Sequence, residues 1–174
     1  MIREEVHFSS KAFNFDRLIV EMRQVYILMK LIKLSSFNLL IPLSIVAHFI
    51  YPIQYIVYAP LRYVGVGVIL LGLIINSRAA NQLRKMQTSV EFDKAASRLV
   101  TDGIFRFSRN PMYLGGILVL FGIAIFLGSG ITFFFPVLLF LILDNIYIPI
   151  EESRLEEIFG TAYLAYQQAT RRWI

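Results

Sequence analysis

The stretch NPMYLGGILVLFGIAIFLGSGITFFFPVLLFLIL, residues 110–143, holds 34 positions without one formal charge, framed by Arg109 and Asp144. At about 1.5 Å of helix per residue it is too long for one crossing of a hydrocarbon layer roughly 30 Å thick. Gly128-Ser129-Gly130 falls in its middle, where a tight turn belongs, and the run reads as a helical hairpin. Two further apolar runs lie upstream. Leu34 to Leu61 gives 28 uncharged residues, interrupted by Pro42 and Pro52, and is expected to form one kinked helix. Tyr63 to Ser77 gives 15 more, and Arg62 and Arg78 can snorkel so that the helix continues into Ala79 and Ala80.

Composition agrees with this reading. Of 174 residues, 57% are hydrophobic and 17% charged, where a soluble domain carries about a quarter charged. Cysteine is absent, which excludes disulfides, thiolate metal sites and a cysteine nucleophile, and two histidines, His7 and His48, leave little for a metal site. The net charge of +5 suits an anionic membrane surface better than nucleic acid in a chain this apolar.

The basic residues test the topology, because cytoplasmic segments beside membrane helices are rich in Lys and Arg. Six precede the first run (Arg3, Lys11, Arg17, Arg23, Lys30, Lys33), seven lie from Arg78 to Arg109, and three (Arg154, Arg171, Arg172) follow the hairpin, so Arg62 stands apart. The expected architecture is an all-α, polytopic membrane protein of about four transmembrane helices, with both termini and the site cytoplasmic. One domain, 1–174, divides into an amphipathic segment 1–33, two spans in 34–83, a linker 84–110, the hairpin 111–149 and a C-terminal segment 150–174. Leu18, Met22, Val25 and Met29 make one apolar stripe, read either as a helix lying on the inner leaflet or as a core-facing helix. The opening Met-Ile-Arg-Glu-Glu lacks the order of a secretory signal, and no cleavage is expected.

Chemistry belongs in the least lipid-like parts, the linker and the chain after Asp144. Asn110 and Pro111 suit the N-cap and first position of a helix whose free amides could receive a carboxylate or phosphate; the same residues also suit a plain helix start anchored by Arg109. Asp144 and Asn145 are either functional polar groups or boundary markers. Pro149 is expected to open a new amphipathic helix with Glu151 and Glu152 in its first turn, where acidic groups sit well on the helix dipole. Gly65 and Gly72, and Gly115 and Gly122, are seven apart and so share a face for close helix packing. His48 reads as an interhelical hydrogen-bonding group.

Leu99-Val100-Thr101-Asp102-Gly103-Ile104-Phe105, followed by Arg109-Asn110-Pro111-Met112-Tyr113-Leu114-Gly115, resembles the first signature of the isoprenylcysteine carboxyl methyltransferase family. Glu151-Glu152-Ser153-Arg154-Leu155 and Phe159-Gly160-Thr161-Ala162-Tyr163-Leu164-Ala165-Tyr166 resemble its ending. The resemblance runs from about Ser97 to Trp173 and implies a membrane methyltransferase that uses S-adenosylmethionine on a lipophilic acceptor, by carboxyl O- or amine N-methylation. It further implies that Ser97, Arg98, Leu99 and Val100 line the adenosine side, with Phe105 as an aromatic contact. Asn110, Pro111, Met112 and Tyr113 would hold the cofactor near the helix start, and Glu151 from the C-terminal segment. Arg109 and Tyr147 complete the site as its catalytic candidates.

Three departures refine the expectation. Asn110 replaces the family's commoner histidine, and Arg171-Arg172-Trp173 its proline-containing end. Tyr147 stands four residues before Glu151, where the eukaryotic enzymes that this chain resembles carry an arginine facing the substrate carboxylate. A phenol offers no fixed positive charge, so the acceptor is expected to be neutral or amine-bearing rather than a prenylcysteine. A sterol-reductase-like enzyme using NADPH is the rival class, disfavoured because Leu114-Gly115-Gly116 follows the tyrosine where those reductases tend to carry a glutamate. A non-catalytic membrane subunit is the third reading.

Overall fold

The computed structural model describes residues 39–51, 54–87 and 97–174. The stripe from Leu18 to Met29 and the basic residue Lys94 lie outside the described residues. Within them the chain is helical, and Tyr55 forms an isolated antiparallel bridge with Ser129.

The run from Leu34 to Leu61 is not one kinked helix. Helix α1, described as Leu39–Ile50, ends just ahead of Pro52, whose ring disfavours helical geometry in the residue before it. The chain then docks by its backbone on the turn of the hairpin: Ile56 N donates to Gly128 O at 2.8 Å and Gly130 N to Gln54 O at 3.1 Å. A short 3-10 turn, Leu61–Tyr63, leads into α2, Val64–Lys85, which passes through Arg78 without a break.

Helix α3, Pro111–Leu127, stops at Gly128 with φ of 77°, the left-handed geometry that glycine adopts without a Cβ penalty. After Ser129 the 3-10 turn Gly130–Phe133 enters α4, Phe134–Ile142. A π-helical turn, Leu143–Tyr147, follows and joins α5, Ile148–Phe159. Pro149 therefore does not open a new helix. The wide turn lies one residue ahead of it, where a regular α-turn would drive its ring into the carbonyl of residue 145. Since the backbone upstream is already helical, Glu151 and Glu152 face no free N-terminal amides, and dipole placement does not explain them. Gly160, φ 53°, breaks the helix before α6, Thr161–Ala169.

Helices α2 and α3 pack antiparallel along a seam of small residues. The buried residues of α2 are Gly65, Gly72 and Ala79, one every seven. Gly72 faces Gly115: a Cβ on Gly72 would lie 2.6 Å from Gly115 O, and one on Gly115 2.7 Å from Gly72 O. Gly65 faces Gly122 in the same way. A second cluster joins Leu40 of α1 to Tyr113, Leu120, Leu139, Leu143 and Tyr147, so α1 covers the other side of the hairpin. Two helices, Leu61–Lys85 and Gly130–Phe159, are long and apolar enough to cross a membrane, and α1 and α3 are shorter apolar helices.

Candidate active site

The site is built where the start of α3 meets the π-turn and α5. Its floor is the linker 97–110, which α2 anchors through one side chain. Gln82 Nε2 donates to Asp102 O at 2.8 Å, and Gln82 Oε1 accepts from Ile104 N at 3.3 Å. Gly103, φ 58°, lies so close over this amide that a Cβ would meet it at 2.5 Å. Val100 and Phe105 pack on Ala79 with Met112 beside them. Phe105 O accepts from Tyr166 OH at 2.6 Å, tying the linker to α6. Ser97 and Arg98 sit at the exposed edge: Ser97 Oγ donates to Gln87 O at 2.9 Å, and Arg98 Nη1 lies 3.9 Å from Met86 Sδ. Leu99 is half-buried between that edge and Val100.

Pro111 is the first residue of α3 and Asn110 its N-cap, as expected, but the Asn110 side chain does not cap. Its Nδ2 instead donates to Arg172 O at 3.1 Å, while Ser108 Oγ takes the Asn110 N–H at 3.1 Å. Asn76 of α2 adds a donor to Met112 O at 3.2 Å. One turn on, Tyr113 OH donates to Glu151 Oε2 at 2.6 Å. This bond joins the two motif blocks across 38 residues of chain. Tyr147, 1% exposed, belongs to the same buried cluster as Tyr113.

Glu152 faces the other way, into an ionic cluster that the sequence did not reveal. Its Oε1 accepts from Arg109 Nη2 at 2.8 Å and its Oε2 from Arg172 Nη2 at 2.7 Å, with the Glu152 side chain 11% exposed. Arg109 Nη1 donates to Gln167 O at 3.0 Å. Both terminal nitrogens of Arg109, the expected catalytic residue, are thus hydrogen-bonded to α5 and α6. Its Nε is buried and has no hydrogen-bond partner among the described residues. Arg172 reaches onward to Asp144 Oδ1 at 3.1 Å, which also accepts from Trp173 Nε1 at 3.0 Å. Asp144 is accordingly more than a boundary marker, while Asn145 Nδ2 merely returns to Leu141 O one turn back. The hydrogen bonds that Arg172 donates to Glu152, and then to Asp144, hold its guanidinium above its usual range. Burial first, then the Glu152 charge, push the Tyr163 phenol up to about 12.

Gln82 and the ionic partnership of Glu152, Arg172 and Trp173 escaped the sequence reading, which offered Asp144 either as a functional group or as a boundary marker. The available signal was an acidic residue at the end of an apolar run and an arginine pair downstream. Among the described residues, no group of His, Asp and Glu could hold a metal ion. At the opposite end of the hairpin, His48 Nδ1 and Ser129 Oγ are hydrogen-bonded at 2.9 Å, so the expected bond of His48 ties α1 to the turn of the hairpin and not to a second helix. Arg62 Nε donates to Phe126 O at 3.0 Å there, closing the C-terminus of α3.

Two comparisons bear on this arrangement. A protein of Haemophilus influenzae, described as uncharacterized, is 33% identical over 63 residues, which is 36% of this chain and the whole of that protein. The model of the family described as phospholipid methyltransferase matches residues 61–162, from the 3-10 turn before α2 into the start of α6. That span takes in the glycine seam, the linker, Tyr113 and both glutamates, and supports a membrane methyltransferase in general. The chain belongs to the phospholipid methyltransferase family, within the membrane methyltransferases akin to the isoprenylcysteine carboxyl enzymes.

Proposed function

We propose that the protein transfers a methyl group from S-adenosylmethionine to a lipophilic, neutral or amine-bearing acceptor at the cytoplasmic end of α3. The observation that carries this reading is the 2.6 Å bond between Tyr113 and Glu151. It brings the two motif blocks into one site and fixes a carboxylate beside the start of a helix.

The residues present fit such a cofactor. Glu151 offers an anion for its cationic groups. The start of α3 has no side-chain cap, which leaves its first amides available to a carboxylate. Val100 and Phe105 of the linker and Met112 of α3 form an apolar wall for the base. When bound, S-adenosylmethionine supplies a methyl group on a sulfonium centre, already carrying a good leaving group. The protein then has to align and to dry the site. Tyr113 orients the Glu151 carboxylate. The buried cluster around Tyr113, Leu139, Leu143 and Tyr147 excludes water. Tyr147 offers a hydroxyl to the acceptor, and an amine acceptor must arrive there without its extra proton. Arg109 holds α5 and α6 against the start of α3 rather than touching the reacting atoms.

The direct test is a titration of the purified full chain, in lipid nanodiscs, with S-adenosylmethionine and separately with NADPH. Saturable binding of the first, and methyl transfer from it to a component of a total lipid extract, support the reading. Binding of NADPH alone would overturn it.

A further inference from the structure

We propose that Arg172 is a positioning residue of the methyl-transfer site, acting through Glu152 and Asn110 to set the direction of Glu151 and to keep the start of α3 uncapped. The inference rests on the cofactor reading above and goes beyond it, since Arg172 lies outside both motif blocks.

Three sets of contacts carry it. The Arg172 guanidinium spans two carboxylates about two turns apart on one continuous helix, Asp144 in the π-turn and Glu152 in α5, at 3.1 and 2.7 Å. A planar fork can bridge two such groups, where a single ammonium holds one. Fixing Glu152 on one side fixes the rotation of α5, and its neighbour Glu151, about 100° round the helix, is thereby turned to Tyr113. The main chain of the same residue does the second task. Arg172 O accepts from Asn110 Nδ2 at 3.1 Å and from Ser108 Oγ at 3.3 Å. Asn110 is a strong capping residue by type, and this bond draws its side chain away from the amides of α3. Arg109 N, donating to Arg171 O at 3.0 Å, holds in register the terminal strap, residues 170–174, that follows α6.

The test compares cofactor affinity among variants of the full chain in nanodiscs, with S-adenosylmethionine as the probe and far-UV helicity as the check on folding. Arg172→Gln is expected to weaken binding about tenfold, the loss of one good charge-assisted contact, and Arg172→Lys to recover part of it. A double variant, Asp144→Asn with Arg172→Gln, removes the cation together with one anion and leaves Glu152 paired with Arg109. If Arg172 merely neutralised buried charge, the double variant would bind as tightly as the wild type, and the proposal would fall. Continued weak binding by a folded double variant supports positioning, and this arm stands even where Arg172→Gln alone fails to fold. Arg172→Gln binding within twofold of wild type, while Glu151→Gln is impaired, would overturn the positioning role and leave the cofactor reading intact. Absence of binding by the wild-type chain would overturn both.

Discussion

Glu151 and Glu152 are adjacent, yet the helix turns them about 100° apart, one toward a phenol and the other toward two guanidinium groups. Their substitutions should therefore separate. Glu151→Gln keeps shape and loses one charge-assisted bond, so S-adenosylmethionine affinity should fall by about 1.5 to 3 kcal/mol, roughly ten- to hundredfold, with little change in melting temperature. Glu152→Gln leaves Arg109 and Arg172 facing a neutral amide, and breaking a buried pair costs about 3 to 5 kcal/mol; the melting temperature should drop sharply. A fall in affinity without a fall in stability at Glu152 would contradict the ionic cluster. Tyr147→Phe should slow methyl transfer while cofactor affinity stays nearly constant, and wild-type turnover would remove Tyr147 from the acceptor site. Tyr163 gives a pH dependence. Its pKa is raised in the fold from 10.0 to about 12, so the unfolded chain releases this proton first and stability falls as pH rises across that window. Tyr163→Phe should flatten the decline, read as melting temperature between pH 9 and 12. At this scale the sequence showed Glu151 and Tyr113 through their motif positions. It hid the duties of Glu152, because two neighbouring carboxylates look alike until the helix phase and the partners 20 and 43 residues away are known.

The elements were more legible than their ends. The hairpin 111–143 was readable because charge-free length and a central Gly-Ser-Gly suffice to place two helices and a turn. The end of α1 was not. Tyr55, Ile56 and Tyr58 are as apolar as a membrane helix, and hydropathy cannot separate a helix from an extended strand pinned to Gly128 and Ser129 by its backbone. The π-turn was equally hidden, since it resolves a clash that exists only once Pro149 lies inside a helix. The seven-residue glycine spacing did predict a packed face, and the structure makes the claim sharp. Gly72→Ala should destabilise the chain by about 1 to 3 kcal/mol, the usual cost of overpacking, because its Cβ meets backbone at 2.6 Å. Gly67, on the same helix, has nothing within 4 Å of its Cβ. Gly67→Ala should be neutral or stabilise by about 0.5 to 1 kcal/mol. Equal melting temperatures for the two variants would mean that the seam does not hold α2 to α3.

For the whole molecule, the charge pattern and the fold place two ends apart: Arg62, His48 and Ser129 at one, the linker, both glutamates and Arg172 at the other. A four-crossing topology with both termini cytoplasmic predicts that Arg106→Cys reacts with an impermeant thiol reagent from the cytoplasmic side and Tyr58→Cys from the opposite side. The reverse pattern would move the proposed site away from its cofactor pool. Length and composition could indicate the membrane. They could not indicate the strap, whose contacts close across 20 to 64 residues of chain. The glycine seam reaches further than packing. Gln82 lies ten residues beyond Gly72, about 15 Å along α2, and it is the side chain that seats the linker. Because the seam forbids α2 to slide on α3, it serves as the datum from which the height of the site along the helix pair is measured. One residue inserted between Ser77 and Ala80 would turn Gln82 by about 100° and raise it by about 1.5 Å. Its amide would miss Asp102 and Ile104, and a change inside one helix would unseat a loop that the helix does not contain.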